Sequence, residues 1–179
     1  MTDPSSVFTT SVQPIQEARL APRSWEAEAA QRATVVAEAR KWLRTPYHGG
    51  ADILGAGVDC GMFLVRVFVD SGMVAPFDPR PYAQDWMMHN EGERYLGFVG
   101  RLCGEVAAPG LGDLVLFRYG KCYAHGGIIT GLGPVMVTHS FEPRGRVVEE
   151  DLYHNDDLML PYRKMKFFSF WADNQKAGA

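Results

Sequence analysis

The sequence predicts an α+β domain whose helices, near the N-terminus, pack on one face of a C-terminal antiparallel sheet of about five strands. Three observations carry this. Apolar residues at helical spacing, Val35, Val36, Ala39, Trp42 and Leu43, mark a one-sided helix in the first quarter of the chain. Residues 62–69 are apolar throughout except for Arg66, a run too apolar for a solvated loop. After Pro109 the texture changes to short β-rich runs joined by glycine-bearing turns, the pattern of an antiparallel meander.

Taken in order, residues 1–22 are polar and broken by Pro4, Pro14 and Pro22, an extended arm without its own core. Residues 23–171 form a single domain and 172–179 a tail. Ser24 can cap the first helix, Glu26 and Glu28 suit its first turn, Lys41 and Arg44 suit its last, and Pro46 ends it. A glycine-rich loop over 45–59 leads into a helix that starts at Cys60 and stops at Ser71-Gly72. Residues 74–92, rich in proline and aromatics, are irregular and cover a neighbouring surface. A short helix over 93–104 carries Tyr95, Phe98, Val99 and Leu102 on one face. Strands are expected over 113–118, 124–132, 134–141, 146–152 and 162–171.

Composition narrows the function classes. The chain has 179 residues, a hydrophobic content of 46% and a formal net charge of −3. With no Lys/Arg-rich run, that balance gives no footprint for nucleic acid. Three widely spaced cysteines do not make a disulfide framework and fit a reducing compartment. The N-terminal MTDPSSVFTTSVQ lacks the basic start and apolar stretch of a secretory signal, and no segment is long enough to span a membrane. The expectation is a protein made in the cytoplasm without a signal peptide, needing another route to any role outside.

Cys60, at a helix N-terminus, would meet free backbone N–H groups and the positive end of the helix dipole, which favour thiolate. Alone, such a cysteine reads more often as a small buried hydrophobe than as a nucleophile. His125 opens the second strand and His139 lies near the end of the third. If those strands are neighbours, the three residues supply a nucleophile, a base and an orienting group. Asp59 caps the helix or contacts substrate, and its charge slightly opposes thiolate formation. Cys122-x-x-His125 is half of a metal site without a second pair of matching spacing. Cys103 and Cys122 read as small buried or surface residues. His48, His89 and His154 read as solvated, with His48 beside Tyr47 at the edge of a cleft. Glu149, Glu150 and Asp151 read as a solvated strand end.

The run RTPYHGGADILGAGVDCGMFLVRVF resembles the first motif of the NlpC-type cysteine peptidases. LGDLVLFRYGKCYAHGGIITG resembles their second motif and VMVTHS their third, in the same order. The resemblance implies a papain-like fold and cleavage of bacterial cell-wall peptides, often beside a D-glutamyl residue. It makes Cys60 the nucleophile, His125 the base and His139 the residue that orients it. Tyr47 and Asp59 would line the oxyanion and substrate site, with the Cys60 N–H as a second oxyanion donor. It implies no metal or organic cofactor, a peptidoglycan stem peptide as substrate and no membrane or nucleic-acid partner. The sequence departs from the commonest motif, Asp-Cys-Ser-Gly-Phe, at Gly61-Met62-Phe63, which removes a serine from the cleft. Such variants, followed by Leu64-Val65-Arg66, are similar to the branch found in tailed bacteriophages and prophages, which implies phage tail proteins as partners and a virion route. Two other functions share these residues: a structural tail-assembly protein with little or no hydrolysis, and an acyltransferase using the same nucleophile.

Overall fold

The computed structural model describes residues 25–82 and 93–172. The expected arm, the Ser24 cap, His89 and nearly all of the tail lie outside them.

Helix α1, Trp25–Lys41, has Glu26 and Glu28 in its first turn and Arg40 and Lys41 in its last, both favourable to its dipole. Its inner face buries Val35, Val36 and Ala39. The helix stops short of Pro46. Arg44 adopts a left-handed φ of 71°, and a turn through Trp42–Thr45 redirects the chain. Two short strands, β1 (Asp52–Ile53) and β2 (Gly57–Val58), pair within the glycine-rich loop. Helix α2, Cys60–Asp70, buries Met62, Phe63, Leu64, Val67 and Phe68, and its one charged interruption, Arg66, pairs with Asp70 at 2.6 Å. It ends where Gly72 turns at a φ of 75°. Helix α3 is Arg94–Leu102.

The strands are β3 (Gly104–Val106), β4 (Leu114–Tyr119), β5 (Cys122–Leu132), β6 (Val135–Phe141), β7 (Arg146–Asp151) and β8 (Met165–Ser169). They form one antiparallel sheet in the order β3-β8-β4-β5-β6-β7. Two features differ from the sequence expectation. The sheet has a sixth strand, β3, which is short and sits at the edge. The last strand does not extend the meander beyond β7; it returns to pair with β4, matching Leu114 to Phe168 and Phe117 to Met165. That pairing joins residues about fifty apart, for which the sequence has no local turn signal.

Apolar side chains fill both faces. The helical face joins Trp42, Phe63, Leu64 and Val67 to Leu114, Leu116 and Ile128. On the opposite face Val115, Phe117, Ile129, Val137 and Phe141 pack with Leu152 and Leu158, from the irregular segment after β7. Strand β5 runs between these cores, and two consecutive glycines let both press on its backbone. A Cβ on Gly126 would lie 2.9 Å from Leu116 Cδ2 and 3.0 Å from Leu64 Cδ1. A Cβ on Gly127, which faces the other way, would lie 2.5 Å from Val137 Cγ2 and 3.0 Å from His139 Cβ.

Arg32 ties α1 to the sheet. Its guanidinium donates to Asp113 Oδ1 at 2.8 Å and to the Leu111 carbonyl at 2.6 Å, and lies 4.0 Å over the Trp171 ring. Asp113 is 2% exposed, so loss of the cation would leave a buried carboxylate short of a partner. Arg32→Ala is expected to cost about 2–3 kcal/mol, below the usual range for a fully buried pair because Arg32 is partly solvated. Arg32→Lys should recover only part of it, since one ammonium cannot reproduce the planar fork. Urea unfolding of the three proteins measures both effects.

Candidate active site

The site is built from the N-terminus of α2. Asp59 is its N-cap, and its Oδ1 accepts the Met62 N–H at 2.7 Å. Its Oδ2 accepts the Gly50 N–H at 2.7 Å, and the Tyr82 hydroxyl donates to the carboxylate at 2.9–3.0 Å. Asp59 is 3% exposed, and these three donors hold its carboxylate. The segment before Tyr82 is fixed by Arg80, which donates to the Gly50 carbonyl at 2.7 Å and pairs with Asp52 and Asp78. Gly61 lets Tyr82 approach: a Cβ there would lie 3.3 Å from the phenolic oxygen. A phenol borne by a distant segment thus stands beside the position where the commonest motif carries serine.

Tyr47 reaches the same place from the other side. Its N–H donates to the Gly145 carbonyl at 2.8 Å, and the chain around it pairs with β2. Ser140 of β6 donates to the Val58 carbonyl at 2.8 Å, anchoring β2 and the residues before Cys60 to the sheet. A cleft of about 560 Å³ opens here. Its lining includes Tyr47, Cys60, Ala124 and Glu142 as well as Phe68 and Leu102.

The Cys60 thiol donates weakly to the Ala124 carbonyl at 3.8 Å. It is partly exposed to the cleft, yet the protein packed around the sulfur and the charge of Asp59 push its pKa up to about 12, against the lowering effect of the Cys60 and Gly61 N–H groups. The expected thiolate is therefore not formed: the helix N-terminus is outweighed by desolvation and by its own capping carboxylate. Burial and the nearby Cys60 also raise the Tyr47 phenol, which keeps its proton as a donor. Tyr95 donates to the Cys60 carbonyl at 3.3 Å, tying α3 to the start of α2.

His125 and His139 meet. His125 Nε2 and His139 Nδ1 are 2.8 Å apart, with His139 fully buried and His125 7% exposed. Both rings stack near Phe141, and His125 also contacts Phe117 and Tyr119. They occupy the sheet face opposite α2, because His125 pairs with Phe117 whereas its neighbour Gly126 faces Leu64. Cys60 is thus beside Ala124, one residue from His125, but its hydrogen bond goes to the Ala124 carbonyl and none joins it to an imidazole. Tyr119 bridges the gap, lining the cleft while its ring lies 5.7 Å from that of His125. A bulge between Phe117 and Arg118 breaks the β4–β5 register at this point.

Sequence reasoning missed Glu150. It pairs with Val137 across β6–β7, on the face that carries His139, and its Oε2 is 3.3 Å from His139 Nε2. Arg144 and Asn155 also donate to it, at 2.8 and 2.7 Å. Only the register of the β6–β7 hairpin could have separated it from Glu149, which pairs with Arg40, and Asp151, which pairs with His154. The hydrogen bond to His139 and the Arg144 guanidinium hold the Glu150 carboxyl down at about 2, against burial. Burial, then His139 and Arg163, push His125 well below 6.5; burial also lowers His139, partly offset by Glu150. Cys103 and Cys122 are buried and His154 is exposed. His48 packs against Gly57. Among the described residues no cluster of three or more His, Cys, Asp or Glu side chains could hold a metal ion, and no helix is long and apolar enough to cross a membrane.

No family model matches the chain, and no curated protein matches it. Solved structures do. NlpC1 from Trichomonas vaginalis matches over 78% of this chain and 43% of its own, with a TM-score of 0.52 at 13% identity. The NlpC/p60 domain of the peptidoglycan hydrolase SagA matches over 75% of this chain and 96% of its own, with a TM-score of 0.48 at 21% identity. An N-acetylmuramoyl-L-alanine amidase from Bacteroides uniformis matches over 78% and 98%, with a TM-score of 0.48 at 11% identity. The likeness to NlpC1 is one of fold: helices on one face of an antiparallel sheet, as the sequence predicts.

Two outcomes follow from the electrostatics. Both imidazoles have folded pKa values below 6.5, so the unfolded chain binds protons that the folded one refuses. The resulting stability is present above about pH 6.5 and is lost as pH falls below it. The melting temperature is expected to drop from about pH 7 to pH 5, and less steeply in His139→Gln. Asp59→Asn should act in opposite directions on two readouts. Removing the charge should speed iodoacetamide labelling of Cys60 at about pH 8, while losing an acceptor of three donors lowers the melting temperature.

Proposed function

We propose that this protein is a cysteine hydrolase acting on peptides of the bacterial cell wall, with Cys60 as nucleophile, His125 as base and His139 as the residue that orients His125. One observation carries the reading. A cysteine at a helix N-terminus opens on a cleft beside the strand that carries His125, whose imidazole is hydrogen-bonded to that of His139 on the next strand. The three motifs that resemble NlpC-type peptidases supply the substrate class, and the fold shared with NlpC1 supports it.

The raised thiol pKa selects the manner of attack. Cys60 acts as a neutral thiol that gives up its proton as it attacks, not as a standing thiolate. His125 Nδ1 takes that proton while sulfur adds to the peptide carbonyl carbon. The Cys60 N–H and the Tyr47 hydroxyl receive the oxyanion. Collapse expels the amine, which leaves with the proton from His125, and water then hydrolyses the thioester. The step requires the thiol to reach His125 Nδ1 past Ala124 while His125 keeps its hydrogen bond to His139. The bulge at that point favours it, since bulges re-aim side chains beside active sites. Asp59, held by three donors, is assigned to positioning Cys60 and not to substrate. The branch resemblance at Gly61-Met62-Phe63 and Leu64-Val65-Arg66 extends the proposal to a phage tail setting, with tail proteins as partners and delivery in the virion.

One observation favours a second reading. Beyond Cys60 the cleft is lined by Leu64, Val65, Phe68, Val74, Phe98 and Leu102. These suit an apolar acyl group better than a charged stem peptide, and acyl transfer through a Cys60 thioester uses the same nucleophile.

The test is incubation of purified protein with defined muropeptides and, separately, with a fatty acyl thioester, followed by mass spectrometry. Muropeptide cleavage lost in Cys60→Ala supports the hydrolase. A stable acyl adduct on Cys60 without cleavage supports the second reading, and neither product points to a structural tail protein. Cys60→Ala should cost about 1 kcal/mol or less in stability. A large loss of melting temperature in that variant with activity retained would make Cys60 a packing residue. His139→Ala should lower turnover with little change in substrate affinity, and His139→Asn should restore part of it, because an amide oxygen can accept the same hydrogen bond from His125.

A further inference from the structure

We propose that Glu150 is a positioning residue that fixes the proton order of both imidazoles and so leaves His125 Nδ1 as the bare, basic nitrogen. The argument starts from the inventory of donors. An ionised carboxylate only accepts hydrogen bonds. Glu150 Oε2 lies 3.3 Å from His139 Nε2, so that nitrogen carries the hydrogen. A neutral imidazole has one N–H, which leaves His139 Nδ1 as an acceptor. The 2.8 Å contact between His139 Nδ1 and His125 Nε2 then needs its hydrogen on His125 Nε2. His125 Nδ1 is left with a lone pair.

The opposite order is excluded by repulsion: a proton on His139 Nδ1 would turn the Nε2 lone pair onto the carboxylate. Glu150 is held for this task from other directions. Arg144 Nε donates to Oε1 at 2.8 Å and Asn155 Nδ2 donates to Oε2 at 2.7 Å. Arg144 is itself steadied by Asp157 at 2.8 Å. With His139 fully buried, no water competes for its Nε2. The sheet register makes the arrangement possible, because Glu150 stands one diagonal step from His139 on the same face. The wrong tautomer at a catalytic imidazole is known to cost rate even where the geometry is intact.

The tautomer order stands apart from turnover; its use in hydrolysis rests on the reading above. The test is long-range proton–nitrogen correlation on protein carrying ¹⁵N-histidine at neutral pH. The expected spectrum shows protonated Nε2 and bare Nδ1 for both His125 and His139. Glu150→Gln keeps the shape but must present its amide N–H₂ to one of three donors, so it should mix the tautomers of both rings. Circular dichroism and the melting curve confirm that this variant is folded, and Glu150→Asp serves if it is not. Where muropeptide cleavage is observed, turnover should fall roughly tenfold with KM little changed, a part of what acid–base catalysis supplies. Protonated Nδ1 on His139 in the wild type would overturn the proposal, as would unaltered tautomers in the folded variant. Correct tautomers in a protein that cleaves no muropeptide would sink the hydrolase alone.

Discussion

The carboxylate of Asp59 is the constraint on which the rest of the site depends. It receives a hydrogen bond from the first turn of α2, one from the glycine-rich loop and one from Tyr82. Three stretches of chain are brought to one carboxylate. That fixes the start of the helix and therefore the height of Cys60 above the sheet. The same carboxylate faces the sulfur and raises its pKa. A group that locates the nucleophile also keeps it protonated, and any chemistry at Cys60 must include a way to take the proton away.

The sheet divides that problem in two. The thiol belongs to the core that α2 makes with Leu114, Leu116 and Ile128, and the imidazoles to the core of Phe117, Val137 and Phe141. Strands β4 and β5 contribute to both cores, and β5 brings Ala124 to the thiol and, one residue on, His125 to the imidazole pair. Burial is the dominant influence on each side, and it acts in the same sense chemically. It opposes charge on the thiol and charge on the imidazoles alike, so these three groups rest neutral, with charge held on Asp59 beside the thiol and on Glu150 and Arg144 beyond His139.

Much of this was legible in the sequence, and the parts that were not have physical reasons. The start of α2 at Cys60 follows from a capping aspartate before an apolar run, and the four-strand meander follows from glycine-bearing turns. The return of β8 to β4 has no such signal, because its pairing is set by the packing of Phe167 and Phe168 on opposite faces and not by a turn. β3 is too short to show alternation. The thiolate expectation weighed the helix dipole but could not weigh burial, which needs coordinates. Glu150 looked like its acidic neighbours, and only the register across β6–β7 distinguishes a residue that faces His139 from one that faces solvent. Tyr82 was hidden because its role depends on a chain segment folding back over Gly61.

The paired glycines of β5 have a consequence for how this protein can change over generations. Positions 126 and 127 are adjacent in sequence and equally closed to a side chain, but the obstacles differ in kind. At 126 the crowding atoms are all the ends of side chains, those of Leu116, Leu64 and Tyr95, which further substitutions could shorten together to admit an alanine. At 127 one obstacle is the trimmable end of Val137, but the others are the Cβ of His139, which every residue but glycine retains, and the backbone carbonyl oxygen of Thr138. Compensating changes should therefore be open to the first position and scarce at the second. The histidine strand would hold its neighbour to glycine long after the helix side had drifted.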